Sequence, residues 1–294
     1  MNSIVRLFAA LALIAGLPAA AQDHTVPKEA LQLIDSLHFQ SGKINVDAAH
    51  AALDLNAEFR FLDAADAQKV LSELWGNPPD DEVLGMLVPV AAPLSDPKKS
   101  WAVVITYKSE GYVSDKDAAG IDYDAMLKEM QQGTAEANAE RKRLGYPEVQ
   151  LVGWATKPHY DASTNKLYWA KELAFDGGRE HALNYDIRVL GRGGYLSLNA
   201  VAGMSQLHQI EGEMQKVLAL TEFDAGQRYS DFNSSTDKVA AYGIAALVAG
   251  AIAAKAGLFA KLFVLLLAFK KFAIVGFIAV AAAVRKFFAR SNSR

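Results

Sequence analysis

Between Gly42 and Leu62 apolar and polar positions alternate in three short runs, KINV, HAALDL and AEFRFL, and that period of two predicts strands. Ahead of them, Pro27 stands at the first turn of a short helix reaching Leu37. Behind them, Asp63 is placed to cap a helix over Ala64 to Trp75, with Val70, Leu71 and Leu74 on one side and Gly76 ending it. The NPPDD stretch from Asn77 to Asp81 is a loop. LGMLVPV and SWAVVITY read as strands, and the unbroken Val103-Val104-Ile105 run marks a buried one. Helical spacing returns from Asp122 to Leu144, stopped by Gly145 and Pro147, with Glu136, Glu140, Arg141, Lys142 and Arg143 on its exposed side.

Four further strand patterns follow in quick succession: VQLVGWAT, KLYWAKELAF, LNYDIRVLG and YLSLNAVA. The segments between them, DASTNK, DGGRE and Gly191-Arg192-Gly193-Gly194, are rich in turn formers, so the simplest topology is an antiparallel meander. A helix from Ser205 to Leu220 turns Leu207, Ile210, Met214, Val217 and Leu218 inward and is expected to cover one sheet face. The predicted fold class is α+β: an antiparallel β-meander sheet packed by helices, followed by a C-terminal transmembrane helix or helical hairpin.

Charge divides the chain. All 33 acidic residues lie between Asp23 and Asp237, together with 20 of the 30 Lys and Arg, a net charge of −13 for that stretch. Lys238 to Arg294 holds nine Lys and Arg and no acid. At the other end Arg6, the apolar run Leu7 to Leu17, Pro18 and Ala19-Ala20-Ala21 have the layout of an export signal, with cleavage after Ala21. The expected domains are therefore a signal peptide over 1–21, an exported α+β domain over 22–237, and a membrane anchor with a basic tail over 238–294.

Val239 to Ala254 is free of charge, and extension to Ala260 admits only Lys255, giving roughly 33 Å of helix, enough to cross a bilayer. In that reading Tyr242 is an interfacial aromatic, Lys255 snorkels, and Gly243, Gly250 and Gly257 line one helix face that either packs against another helix or simply faces lipid. The next apolar stretch, Leu262 to Val284, carries Lys270-Lys271 at its centre, which costs about 5 to 7 kcal/mol against a return of about 4 to 8, so a single span and a hairpin both remain open. The basic tail predicts a cytoplasmic end, with the main domain in the periplasm and lipid of the inner membrane as a partner.

Cysteine is absent, which excludes disulfides, thiolate nucleophiles and Cys-ligated zinc. The Gly191-Arg192-Gly193-Gly194 turn lacks the Lys-Ser/Thr and the following helix of a phosphate loop. None of the six histidines forms H-E-x-x-H. The best enzymatic constellation is His159 and Asp161 with Glu180 and His181, four residues at strand ends that would make a metal-dependent or acid–base hydrolase site if the meander brought them together; surface turn residues are the bland alternative. Trp154, Tyr168, Trp169, Tyr185 and Tyr195 are expected in cross-strand pairs, and the acidic domain disfavours nucleic acid as a partner. No cofactor is expected.

Trp75-Gly76-Asn77-Pro78-Pro79, Leu84-Gly85-Met86-Leu87-Val88-Pro89, Gly191-Arg192-Gly193-Gly194-Tyr195-Leu196-Ser197-Leu198-Asn199 and Gly226-Gln227-Arg228-Tyr229-Ser230-Asp231-Phe232-Asn233, leading into Asp237-Lys238-Val239-Ala240-Ala241-Tyr242-Gly243, resemble a bacterial membrane-anchored family known as domain of unknown function 2167. The resemblance covers nearly the whole mature chain and implies an inner-membrane anchor; it brings no reaction and no catalytic residues. In pattern, the meander followed by a helix is also similar to the Mog1/PsbP-like sandwiches, folds that mostly bind or assemble. The expected function is that of a membrane-anchored envelope protein acting as a protein-binding or assembly module rather than an enzyme, with the hydrolase and a tail-driven membrane oligomer as rivals. An envelope protein is the expected partner, with homo-oligomers through the anchor as a further one.

Overall fold

The computed structural model describes residues 26–249, apart from positions 97, 177 and 179. Helix α1 (Lys28–Asp35) leads into β1 (Lys43–Val46), β2 (Ala51–Asp54) and β3 (Phe59–Asp63). Asp63 ends β3 and caps α2 (Ala64–Lys69) by accepting the Asp66 N–H at 3.0 Å. The helix expected to Trp75 widens into a π-helical turn over Val70–Leu74, and Gly76, at φ +69°, takes the left-handed position that ends it. Strands β4 (Val83–Pro89) and β5 (Ala102–Lys108) fall where the apolar runs place them, and α3 (Tyr123–Arg143) starts at its Asp122 cap. One correction concerns α3: Arg141, expected on the exposed side, is buried and donates from Nε to the Pro147 carbonyl at 2.9 Å, tying the helix end to the chain that leaves it.

The meander consists of β7 (Val149–Asp161), β8 (Lys166–Phe175), β9 (Ala182–Leu190) and β10 (Tyr195–Gly203). It is more than half of a larger sheet. Strand β10 also pairs antiparallel with β5, giving a seven-stranded antiparallel order β3-β4-β5-β10-β9-β8-β7. Helix α4 (Leu207–Ala219) follows, then β11 (Thr221–Phe223), which completes a three-stranded sheet β1-β2-β11.

Strand alternation assigns the layers. Leu183, Tyr185 and Ile187 of β9 and Leu196, Leu198 and Ala200 of β10 face α4 and the small sheet, meeting Ile210, Met214, Val217, Leu53 and Phe223 in the largest core cluster. The opposite face carries α2 and the π-helical turn at one side, through Leu62, Val70, Met86 and Val104. At its other side Leu127 and Met130 of α3 pack on Leu151, Leu173 and Phe175.

The C-terminal part of the described chain departs from expectation. Val239–Gly243 is not the start of a helix but strand β12, parallel to the short β6 (Tyr112–Ser114). Only at Ile244 does helix α5 (Ile244–Ala249) begin, its first N–H groups held by Asp117, which accepts from Ile244 N at 2.9 Å and Ala245 N at 3.2 Å. Ile244, Leu247 and Val248 are buried against Val113, Leu167, Trp169 and Leu190. The boundary expected at residue 237 thus lies inside the fold, because the first apolar residues of the expected span have a protein core to enter. Among the described residues no helix is long and apolar enough to cross a membrane. The expected signal peptide, Gly250, Lys255, Gly257 and the second apolar stretch lie outside the described residues.

Candidate functional site

The four residues singled out for chemistry are placed at two ends of the sheet, because successive turns of a meander alternate ends. His159 sits opposite Tyr168 at the β7–β8 turn and stacks on its ring at 6.0 Å between centroids. Asp161 accepts from the Ser163 and Thr164 hydroxyls at 2.6 and 2.7 Å, and these contacts hold its carboxyl down at about 2. At the β8–β9 end, His181 Nδ1 lies 2.6 Å from Glu172 Oε1, while Glu180 accepts from the Ser205 hydroxyl at 2.6 Å. His181 adjoins the Ala182–Leu173 pair, so about six residues of β8, roughly 20 Å, separate the two histidines. Among the described residues no group of three or more His, Asp or Glu is placed to hold a metal ion.

The structure brings a different set together. On the face opposite α4, the centre of the sheet between the helical layers is polar: Lys171 on β8, Asn184, Asp186 and Arg188 on β9, and Ser197 and Asn199 on β10. Register makes them neighbours, since Lys171 opposes Asn184, Asp186 opposes Asn199, and Arg188 opposes Ser197. Asp186, 2% exposed, lies 3.2 Å from Lys171 Nζ and 3.1 Å from Arg188 Nη1. Arg188 also donates to Ser197, and Asn184 donates to Asn199 at 3.3 Å. Burial alone would push the Asp186 carboxyl up, but Lys171 and Arg188 outweigh it and hold it below the ordinary carboxylate range. The Arg188 guanidinium lies 4.8 Å over the Trp169 ring. The signal for this strip is the clean alternation in LNYDIRVL and YLSLN, but alternation alone reads as a solvent-facing polar edge; only the strand pairing and the flanking helices make it interior.

A second constellation gathers the sequence blocks over 191–199 and 226–233 and the 237–243 run that follows them. Arg192, in the β9–β10 turn, donates from Nε and Nη2 to the two oxygens of Asp237 at 2.7 and 2.8 Å, and from Nη1 to the Gly226 carbonyl at 3.1 Å. This fork–fork pair draws the Asp237 carboxyl far below its ordinary range, helped by the Asn233 N–H. Gly191 bridges to Arg228, Tyr229 donates to the Val113 carbonyl at 2.9 Å, and the Tyr112 ring is stacked between Tyr229 and Phe232. Gly111, Arg192 and Asp237 border a surface depression of about 310 Å³, in which the guanidinium is already paired. Tyr242, expected at a membrane interface, is half-buried in β12; burial first, then the neighbouring Tyr195 and Glu110, raise its hydroxyl. Gly243 lies against Asp117, where a Cβ would stand 2.4 Å from a carboxylate oxygen.

Fold and constellations together define a mixed α+β domain with an antiparallel sheet, its chain led out through a clasped strand and a capped apolar helix. The chain belongs to the family described as "Protein of unknown function (DUF2167)", whose model matches residues 38–281. Among curated proteins none matches. Among solved structures the chain is similar to the cyanobacterial PsbP of Synechocystis sp. PCC 6803, at 9% identity and a TM-score of 0.34 over 70% of this chain and 99% of that one. It is also similar to the Ran-binding protein Mog1p of Saccharomyces cerevisiae, at 10% identity and a TM-score of 0.31 over 67% and 100% of the two chains. At such TM-scores these likenesses say nothing of what this chain binds.

Proposed function

We propose that this chain is an envelope protein of the bacterial inner membrane whose exported domain works as a protein-binding or assembly module held at the bilayer by the C-terminal segment. The observation that carries this reading is the rooting of that segment in the domain: β12 pairs with β6, Arg192 grips Asp237, and Asp117 caps α5, so no free linker stands between the domain and residue 249. Export and orientation rest on the N-terminal signal pattern and on a tail rich in Lys and Arg without a single acid. A binding role is favoured over hydrolysis because His159 and His181 stand at opposite ends of the sheet.

Carbonate extraction of membranes, paired with replacement of residues 250–294 by an unrelated single span, tests the reading. The native chain should stay in the carbonate-washed membrane, and the chimera should complement a deletion strain. Release of the native chain by carbonate contradicts the anchor. Failure of a correctly inserted chimera would instead assign the activity to the tail.

A further inference from the structure

From the interior polar strip we infer that the domain carries a binding site for an oxyanion, a carboxylate or phosphate group, at Lys171, Arg188 and Trp169. Asp186 supplies one negative charge to two cations, and among the described residues no other carboxylate pairs with either of them. Lys171 and Arg188 each keep 16% of their side-chain surface exposed against 3% for Asp186, so the two cations are more accessible than the carboxylate they share. A net positive charge in a largely desolvated position favours an anion strongly, because screening there is weak.

A second observation points the same way. Trp169 lies on the same face, in register with Asp186 and two residues before Lys171, and is 1% exposed. Among the described residues its indole N–H has no acceptor. A buried donor without a partner is unfavourable, and an oxyanion held by Lys171 and Arg188 supplies acceptor lone pairs beside it. Arg188 commits Nη1 to Asp186 and Ser197 and stacks on Trp169, which orients the guanidinium. The C-terminal segment cannot supply the missing charge from its side chains, since Lys238 to Arg294 holds no Asp or Glu. The inference does not depend on membrane anchorage.

Calorimetric titration of the full chain in detergent with inorganic phosphate, and in a separate arm with succinate, tests it. At least one of the two should bind saturably at one site per chain. Trp169→Phe, which removes the N–H donor together with part of a buried ring, should weaken that binding about tenfold, the size of one charge-assisted hydrogen bond. Its ligand-free Tm should fall, because the smaller ring leaves a cavity against Ile244 and Leu247. Binding is therefore compared at a temperature where both chains are folded, and Lys171→Gln, which leaves that apolar cluster intact, tests the site independently. Lys171→Gln should abolish binding, and Lys157→Gln, at an exposed cation elsewhere on the sheet, should leave it unchanged. Absence of saturable binding of both anions to the native chain overturns the inference, as does undiminished binding by Trp169→Phe and Lys171→Gln.

Discussion

Asp66 illustrates how one buried carboxylate ties distant chain together. It accepts from the His38 N–H at 2.6 Å and from Lys69 Nζ at 2.6 Å, and Lys69 first, then His38, bring its carboxyl down to about 2 against a burial effect that opposes them. Because the folded value is depressed, the stabilisation is full above the ordinary value near 3.8 and is lost as pH falls through about 2. Asp66→Asn should therefore lower stability by about 1–3 kcal/mol at neutral pH. In urea melts, its deficit relative to the native chain should shrink steadily from about pH 4 downward. Gly194 is decisive for a different reason: a Cβ there would stand 1.9 Å from the Lys108 carbonyl oxygen, backbone that cannot swing aside. Gly194→Ala should cost at least about 1–3 kcal/mol in the same assay by forcing β10 away from β5. The Gly191-Arg192-Gly193-Gly194 turn is legible as a turn from its composition; that its last glycine is required by a neighbouring strand depends on a pairing 87 positions away in sequence, which no local signal encodes.

Among the elements, the meander and α4 were legible because their periodicity is strong and their turns are marked by Gly, Asn and Asp. Strand β7 is longer than its pattern suggests, since three register shifts blur its alternation. Those shifts suit an edge: they bend the strand away from foreign pairing, and α3 covers part of it by donating Gln131 Nε2 to the Leu151 and Val152 carbonyls. Strands β6 and β12 were illegible, because three and five residues joined in parallel across more than a hundred positions leave no periodic trace. The apolar VAAYG run fits a membrane helix equally well by composition, and only the partner strand decides otherwise. Element stability here depends on the Arg192–Asp237 pair. Arg192→Gln should speed amide hydrogen exchange across 228–243 while leaving the β9 and β10 amides protected; equal exchange in both proteins would show that the pair does not hold the strand.

At the scale of the whole molecule, the described domain is acidic and two-faced, with one face sealed by α4 and the small sheet and the other divided by a polar strip. The charge asymmetry of the chain was plain in its sequence, whereas the polar strip was not, because Asn184, Asp186 and Arg188 look like solvent-facing residues until the flanking helices are in place. The rooting of α5 also sets the extent of the folding unit. A chain ending at residue 237 should be less stable than one ending at 249 by several kcal/mol, at about 1.5–3 kcal/mol for each of the buried Ile244, Leu247 and Val248; equal melting curves would contradict this. The central claim, that the acidic domain is delivered across the membrane and kept there, is open to one direct measurement because the native chain contains no cysteine. With Glu136→Cys on the exposed surface of α3, a membrane-impermeant maleimide should label the protein in intact spheroplasts as fully as after lysis. Labelling that appears only after lysis would place the domain in the cytosol and contradict the account.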